Sequence, residues 1–158
     1  GVISLNIKEH DVKSFIEYIE NYMRPRAERE GKEFSITIDK NVGKGYFDEN
    51  RLKQVLSNII DNAFKFTEEN GKISLNTKVE EEYLVFRVKD NGSGISSKDL
   101  PRVKDKFYKG KNSKSRNGIG LSICDEIVTL HRGILEIISK ENEGTEIIIK
   151  IPLNQGET

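Results

Sequence analysis

Asn58, Asn62 and Lys65 stand at i, i+4 and i+7 of a stretch whose apolar residues recur with helical spacing. A helix there brings two carboxamides and an ammonium onto one stripe. Amide oxygens suit a hard cation such as Mg²⁺, and lysine neutralises phosphate, so the stripe could hold a metal-bound polyphosphate. By spacing alone, a solvated polar face is the commoner explanation. A second group is Asp90-Asn91-Gly92-Ser93-Gly94-Ile95 at the end of an apolar run. Its carboxylate could accept from an exocyclic amine, and its glycines could let a ligand approach the backbone; an ordinary turn after a strand explains it equally well. Gly118-Ile119-Gly120-Leu121 opens a helical pattern, where free N–H groups and the helix dipole favour phosphate. It lacks the third glycine of a dinucleotide fingerprint and the Lys-Ser/Thr of a P-loop. Between the last two groups, Arg102–Asn117 carries seven bases and one acid, a local excess of +6. Such a segment reads as a lid over phosphate or as an exposed solvating loop.

These residues need elements to position them. Ile3, Leu5 and Ile7 alternate, predicting a strand over Val2–Ile7. Asp11 is placed to cap a helix carrying Val12, Phe15, Ile16, Ile19 and Met23, and Pro25 should kink or end it. Phe34, Ile36 and Ile38 form a strand, and Val42–Phe47 a turn leading into another. Asp48 caps the helix of Leu52, Val55, Leu56, Ile59, Ile60 and Ala63. After the Asn70-Gly71 turn, strands run through Ile73–Val79 and Leu84–Val88. A short helix is expected over Ser96–Lys104 and a third long one over Gly118–Leu130, with Gly133 as its left-handed cap. Strands over Ile134–Ser139 and Thr145–Ile151, joined at Asn142–Gly144, close the chain. The order is not strict β-α-β alternation, which favours an α+β sandwich: one mixed sheet with about three main helices on one face.

Composition narrows the function. The 158 residues hold 26 Lys+Arg and 26 Asp+Glu, for zero net charge. That balance argues against a bulk nucleic-acid binder. One domain over 1–158 is expected, with no linker or repeat. No apolar run nears the roughly 18 residues of a membrane span, and no cleavable signal opens the chain. The expectation is a cytoplasmic domain, monomeric as it stands, of a parent with or without a membrane anchor. The single Cys124 excludes an internal disulfide and reads as a small core residue. His131, at a helix C-terminus, reads as structural, as does His10.

The four groups occur in one order: Asn58-Ile-Ile-Asp-Asn62-Ala-Phe-Lys65, Asp90-x-Gly92-x-Gly94-Ile95, Phe107-Tyr108-Lys109-Gly110, and Gly118-Ile-Gly120-Leu121, closed by Gly144-Thr145 and Ile151-Pro152-Leu153. Together they resemble the ATP-binding catalytic domain of bacterial sensor histidine kinases, in the superfamily shared with gyrase, Hsp90 and MutL, from about Val2 to Leu153. The resemblance implies the Bergerat-type two-layer fold with a nucleotide lid over about 102–117, and ATP with Mg²⁺ as cofactors. It implies that Asn62 binds the Mg²⁺ bridging the phosphates, that Lys65 contacts phosphate and that Phe66 stacks near adenine. Asp90 would read the adenine amine, supported by waters near Gly94 and Thr145, and Gly92 would join the nucleotide site. Ile60, Ile95 and Leu121 would line the base pocket, and Gly118, Ile119 and Gly120 would face the phosphates. Tyr108 and Lys109 would join from the lid, with Lys109 reaching the γ-phosphate.

Asn58 stands where hydrolytic relatives carry a glutamate. An asparagine is no general base, and a neutral imidazole needs none, so Asn58 and Lys109 would serve phosphoryl transfer to histidine. The resemblance further implies a phosphoacceptor and dimerisation hairpin outside this sequence and a response regulator reached through it, with no nucleic acid. Tyr18 and Tyr22, with Phe15, could belong to the core or face that hairpin. Two departures stand out: Lys104 occupies the usual aromatic position before Phe107, and the glycine box is short. A gyrase- or Hsp90-type ATPase and a catalytically silent nucleotide-binding module remain the alternatives.

Overall fold

The structure is a computed structural model and describes residues 3–103 and 121–154. Strand β1 (Lys8–Asp11) leads into helix α1 (Val12–Glu30), strands β2 (Glu33–Ile38) and β3 (Lys44–Phe47), and helix α2 (Glu49–Lys65). The hairpin β4 (Lys72–Glu80) and β5 (Tyr83–Asp90) follows. After them come helix α3 (Ser122–Leu130) and the hairpin β6 (Ile134–Lys140) and β7 (Gly144–Pro152). The main sheet has the order β2-β4-β5-β7-β6. β2 runs parallel to β4 and every other neighbour is antiparallel. β1 and β3 form a separate two-stranded ribbon. This is the mixed-sheet α+β sandwich that the element order predicts.

Helix and sheet meet because both are amphipathic. Alternate residues Leu84, Phe86 and Val88 of β5 and Ile147, Ile149 and Ile151 of β7 are buried in the main core. Against them α2 presents Leu52, Val55, Leu56, Ile59, Ile60 and Ala63, all at most 3% exposed. Each buried aliphatic side chain of this kind contributes roughly 1.5–3 kcal/mol of transfer free energy. The caps are as the sequence predicts: Asp11 accepts from the Ser14 N–H at 3.0 Å, and Asp48 from the Arg51 N–H at 3.0 Å.

Five expectations require correction. Ile3–Ile7 is not a strand; the partner β3 pairs with Lys8–Asp11, and the Asn6 N–H bonds the Asp48 carboxylate instead. Helix α1 runs through Pro25 to Glu30. Tertiary contacts offset the lost backbone bond: Arg26 pairs with Asp61 of α2, and Ala27 is buried in the core. Ser96 starts no regular helix among the described residues. It bonds the Asp99 N–H through its hydroxyl, and only a 3-10 turn forms over Leu100–Arg102. Pro101 there lacks the N–H that an α-helix from Ser96 would need. Helix α3 begins at Ser122, not Gly118, because Leu121 adopts a non-helical backbone and gives its N–H to Val103 O at 3.0 Å. Finally, Arg132 takes the left-handed conformation after α3, at φ 61°. Gly133 is needed for space: a Cβ there would lie 2.3 Å from Lys150 O.

Candidate functional site

The C-terminal half of α2, the end of β5, the start of β7 and the segment after β5 enclose one apolar cleft. Ile59, Asn62 and Ala63 enter it from α2 and Phe66 from the residue that caps it, Val88 and Asp90 from β5, and Thr145 and Ile147 from β7. Gly94, Ile95, Ser96, Asp99 and Leu121 complete the wall. The helical contributors share one face because their spacing of three, four and seven residues returns to the same side. The strand contributors share one because Val88 pairs with Ile147 and Asp90 with Thr145 across the β5–β7 ladder.

Asp90 is the charged group at the sheet side of this apolar space. Burial pushes its carboxyl up to about 6, while N–H donors from Gly92 and Thr145 pull the other way. The Gly92 N–H sits 2.8 Å from Oδ1. Above that value the cleft holds a carboxylate that is hydrogen-bonded on the protein side and poorly solvated on the cleft side. Such a group favours a ligand with N–H donors.

At the helix side, Asn62 is 8% exposed and its carboxamide makes no hydrogen bond to the described residues. Its neighbour Asp61 is committed elsewhere. Burial acts to raise the Asp61 carboxyl, but hydrogen bonds from Lys65 and Arg26 outweigh it and hold it below the usual range. Lys65 Nζ lies 2.9 Å from Asp61, at the protein's surface beside the cleft rather than in its lining. An oxygen donor with no partner among the described residues, one turn before a lysine, fits a hard cation bridging to phosphate.

Three sequence-predicted residues are placed differently. Ile60 is fully buried in the core and does not line the cleft; Ile59, about 100° around the helix, takes that place. Asn58 also lies outside the lining and donates to Cys124 Sγ at 3.3 Å. Cys124 is buried, and burial pushes its thiol up to about 11, so it is an inert packing residue. Gly92 is not part of the lining; a Cβ there would lie 2.3 Å from Phe66 O, so this glycine lets the loop pack on the end of α2. Gly94 does line the cleft, yet its φ of 70° and a Cβ position 2.1 Å from Lys140 O tie it to the β6–β7 hairpin. Phe66, Ile95 and Val103 belong to a small satellite cluster that supports this wall.

Tyr108, Lys109, Gly118, Ile119 and Gly120, like Lys104 and Phe107, lie outside the described residues. His10 stacks on Phe47 at 5.0 Å and pairs with Glu49 at 3.1 Å. His131 is fully buried; its Nε2 accepts from the Asp48 N–H at 3.0 Å and Nδ1 bonds Ile127 O at 2.9 Å. Both histidines are structural. Phe15 is core, whereas Tyr18 and Tyr22 are exposed, Tyr18 beneath Lys53 Nζ at 3.8 Å. Ile59, Ala63, Val88, Ser96, Asp99 and Ile147 line the cleft beyond the residues expected from sequence; the spacing of Ile59 and Ala63 to Asn62 and Phe66 is a usable signal, and Ser96 and Asp99 carry none.

The matching family model, described as "Histidine kinase-, DNA gyrase B-, and HSP90-like ATPase", covers residues 47–155, from the end of β3 past β7. The chain belongs to this family. Over 156 residues it is 31% identical to the sensor histidine kinase YclK of Bacillus subtilis, matching 96% of this chain and 33% of that protein. The catalytic domain of histidine kinase ThkA superposes with a TM-score of 0.84 at 26% identity, covering 94% of this chain and 97% of that one. Full-length ShkA, solved in complex with AMPPNP, superposes with a TM-score of 0.81 at 25% identity, covering 96% of this chain and 32% of that one. The fold is therefore that of histidine-kinase catalytic domains. The chain spans a third or less of the length of curated relatives such as YclK and histidine kinase P4 of Formosa agariphila.

Proposed function

We propose that this domain binds Mg-ATP in the cleft and presents the γ-phosphoryl to a histidine on a separate phosphoacceptor hairpin, from which a response regulator receives it. The observation that carries this reading is the pairing of a half-buried Asp90 carboxylate with apolar walls at one end and, at the other, an Asn62 carboxamide that has no partner among the described residues. An adenine ring would lie between Ile59, Ala63, Ile95 and Ile147, with its amine on Asp90. Asn62 would hold Mg²⁺, which shields the phosphate charge when bound. Lys65 would exchange Asp61 for phosphate, and Lys109 with the rest of the basic 102–117 stretch would neutralise the triphosphate. The domain's work is then positioning and charge neutralisation.

Asn58 supports transfer over hydrolysis. It brings no ionisable group, and it is engaged with Cys124 rather than aimed into the cleft. The test is incubation with Mg-ATP and a phosphoacceptor hairpin from a sensor kinase. Acid-labile, base-stable phosphate on the hairpin is expected, and steady phosphate release without it would favour the ATPase reading.

A further inference from the structure

Ser139 lies on β6, outside the cleft lining, yet its hydroxyl joins three parts of the cleft wall. The Ile95 N–H donates to Ser139 Oγ at 2.8 Å. Ser139 Oγ lies 3.0 Å from Gly144 O and 2.7 Å from Thr145 Oγ1. A hydroxyl has one proton and two lone pairs. For all three contacts to be hydrogen bonds, the Ser139 proton goes to the Gly144 carbonyl, which only accepts. The Ile95 N–H takes one lone pair. The other faces Thr145, and that contact forms only if Thr145 supplies the proton. The Ser139 oxygen is then saturated, and the Thr145 hydroxyl, which lines the cleft, has only lone pairs left to offer a ligand.

Asp90 stands directly across the ladder from Thr145. As a carboxylate it too only accepts. A 6-amino purine carries two N–H donors at the position where these acceptors meet it. A 6-oxo purine carries lone pairs there and meets like with like, and a buried acceptor without a donor loses its hydrogen bond outright. We propose that Ser139 is a positioning residue that fixes the direction of the Thr145 hydroxyl proton, so that the cleft selects a 6-amino over a 6-oxo base. This rests on the nucleotide reading of the cleft given above, and goes beyond it by assigning base selectivity to a residue that does not touch the ligand.

The experiment measures binding of Mg-ATP and Mg-inosine triphosphate to the wild type, Ser139→Ala, Thr145→Val and the double variant. Ser139→Ala frees the Thr145 proton to meet a 6-oxo group. The ATP preference is expected to fall by about three- to tenfold, the worth of one neutral hydrogen bond, chiefly through tighter inosine triphosphate binding. A purely structural role would weaken both nucleotides alike and leave the ratio unmoved, which overturns the proposal. In the Thr145→Val background the same serine substitution should leave the ratio unchanged, and an equal effect there overturns it. Should Ser139→Ala fail to fold, Thr145→Val alone decides: a lowered ratio supports the proposal and an unaltered one overturns it. Wild type that binds neither nucleotide overturns the ATP reading as well, whereas wild type that binds both equally overturns this inference and the placing of the amine on Asp90 but leaves nucleotide binding in the cleft standing.

Discussion

Replacing Asp90 by asparagine should separate what the carboxylate does for the ligand from what it costs the fold. The ordinary carboxyl pKa is 3.8 and burial raises it to about 6. The folded protein therefore holds its proton over a range in which the unfolded chain has released it. Between these two values the native state binds more protons, so stability falls as pH rises. The contribution is most favourable below the unfolded value and is lost as pH climbs through the folded one. From the two pKa values, the ionised carboxylate costs the fold about 3 kcal/mol near pH 7.5 and about 1 kcal/mol near pH 4.5. Asparagine stays neutral and keeps one acceptor for the Gly92 and Thr145 N–H groups. Its own hydrogen-bond deficit is the same at both pH values and cancels. The stability of Asp90→Asn relative to wild type should therefore be about 2 kcal/mol greater at the higher pH. Urea unfolding of both proteins at the two pH values measures this, and parallel pH dependences would refute the claim of a buried charge. Nucleotide affinity moves the other way. Losing a charge-assisted hydrogen bond of about 1.5–3 kcal/mol weakens ATP by roughly ten- to 150-fold. Unchanged ATP affinity in calorimetry would sink the assignment of Asp90 to the base, whatever the unfolding curves show.

Asn62→Ala should abolish the Mg²⁺ dependence of ATP binding, and a titration that still tightens on adding Mg²⁺ contradicts the carboxamide's role. Ile60→Ala should cost about 2–4 kcal/mol of stability as a core truncation while leaving ATP affinity intact; Ile59→Ala should weaken ATP, so an equal effect of both on binding would refute the placement. His131→Ala leaves the Asp48 N–H without its acceptor, while the Ile127 carbonyl keeps the residue-131 backbone N–H, and with the lost packing of a fully buried ring it should destabilise the domain by about 2–4 kcal/mol in urea unfolding. Burial lowers the His131 pKa, opposed by its bond to Ile127. Below 6.5 the unfolded chain therefore binds a proton that the fold resists. Wild-type stability from this residue falls on acidification, and His131→Ala should be less acid-sensitive than wild type over that range.

Much of the architecture was legible because each element advertises its buried face. The stripe of Leu52, Val55, Leu56, Ile59 and Ile60 specifies α2, and the alternation in β5 and β7 specifies the central strands. Errors fell where local preference and tertiary context disagree. Pro25 disfavours a helix by roughly 3 kcal/mol or more, and contacts from Arg26 and Ala27 across to α2 and the core offset that. The alternating residues of Ile3–Ile7 could have made a strand, but a strand needs a partner edge, and β3 offers one only to Lys8–Asp11.

Residue order alone supplies the chemical groups: Asn62 and Lys65 on one helix, Asp90 at a strand end, and the glycines around it. It also carries the order of motifs that marks the family. That Ile59 and not Ile60 lines the cleft follows from packing alone, because the two differ by one helical step and the choice depends on where the sheet lies. Only the tertiary structure showed Gly92 serving the chain's own packing against Phe66. And only it brought Ser139, 44 residues away in sequence, to the Ile95 N–H. Local periodicity records which side of an element is buried, but not what lies opposite, and a hydroxyl's proton is assigned by partners that the fold alone supplies.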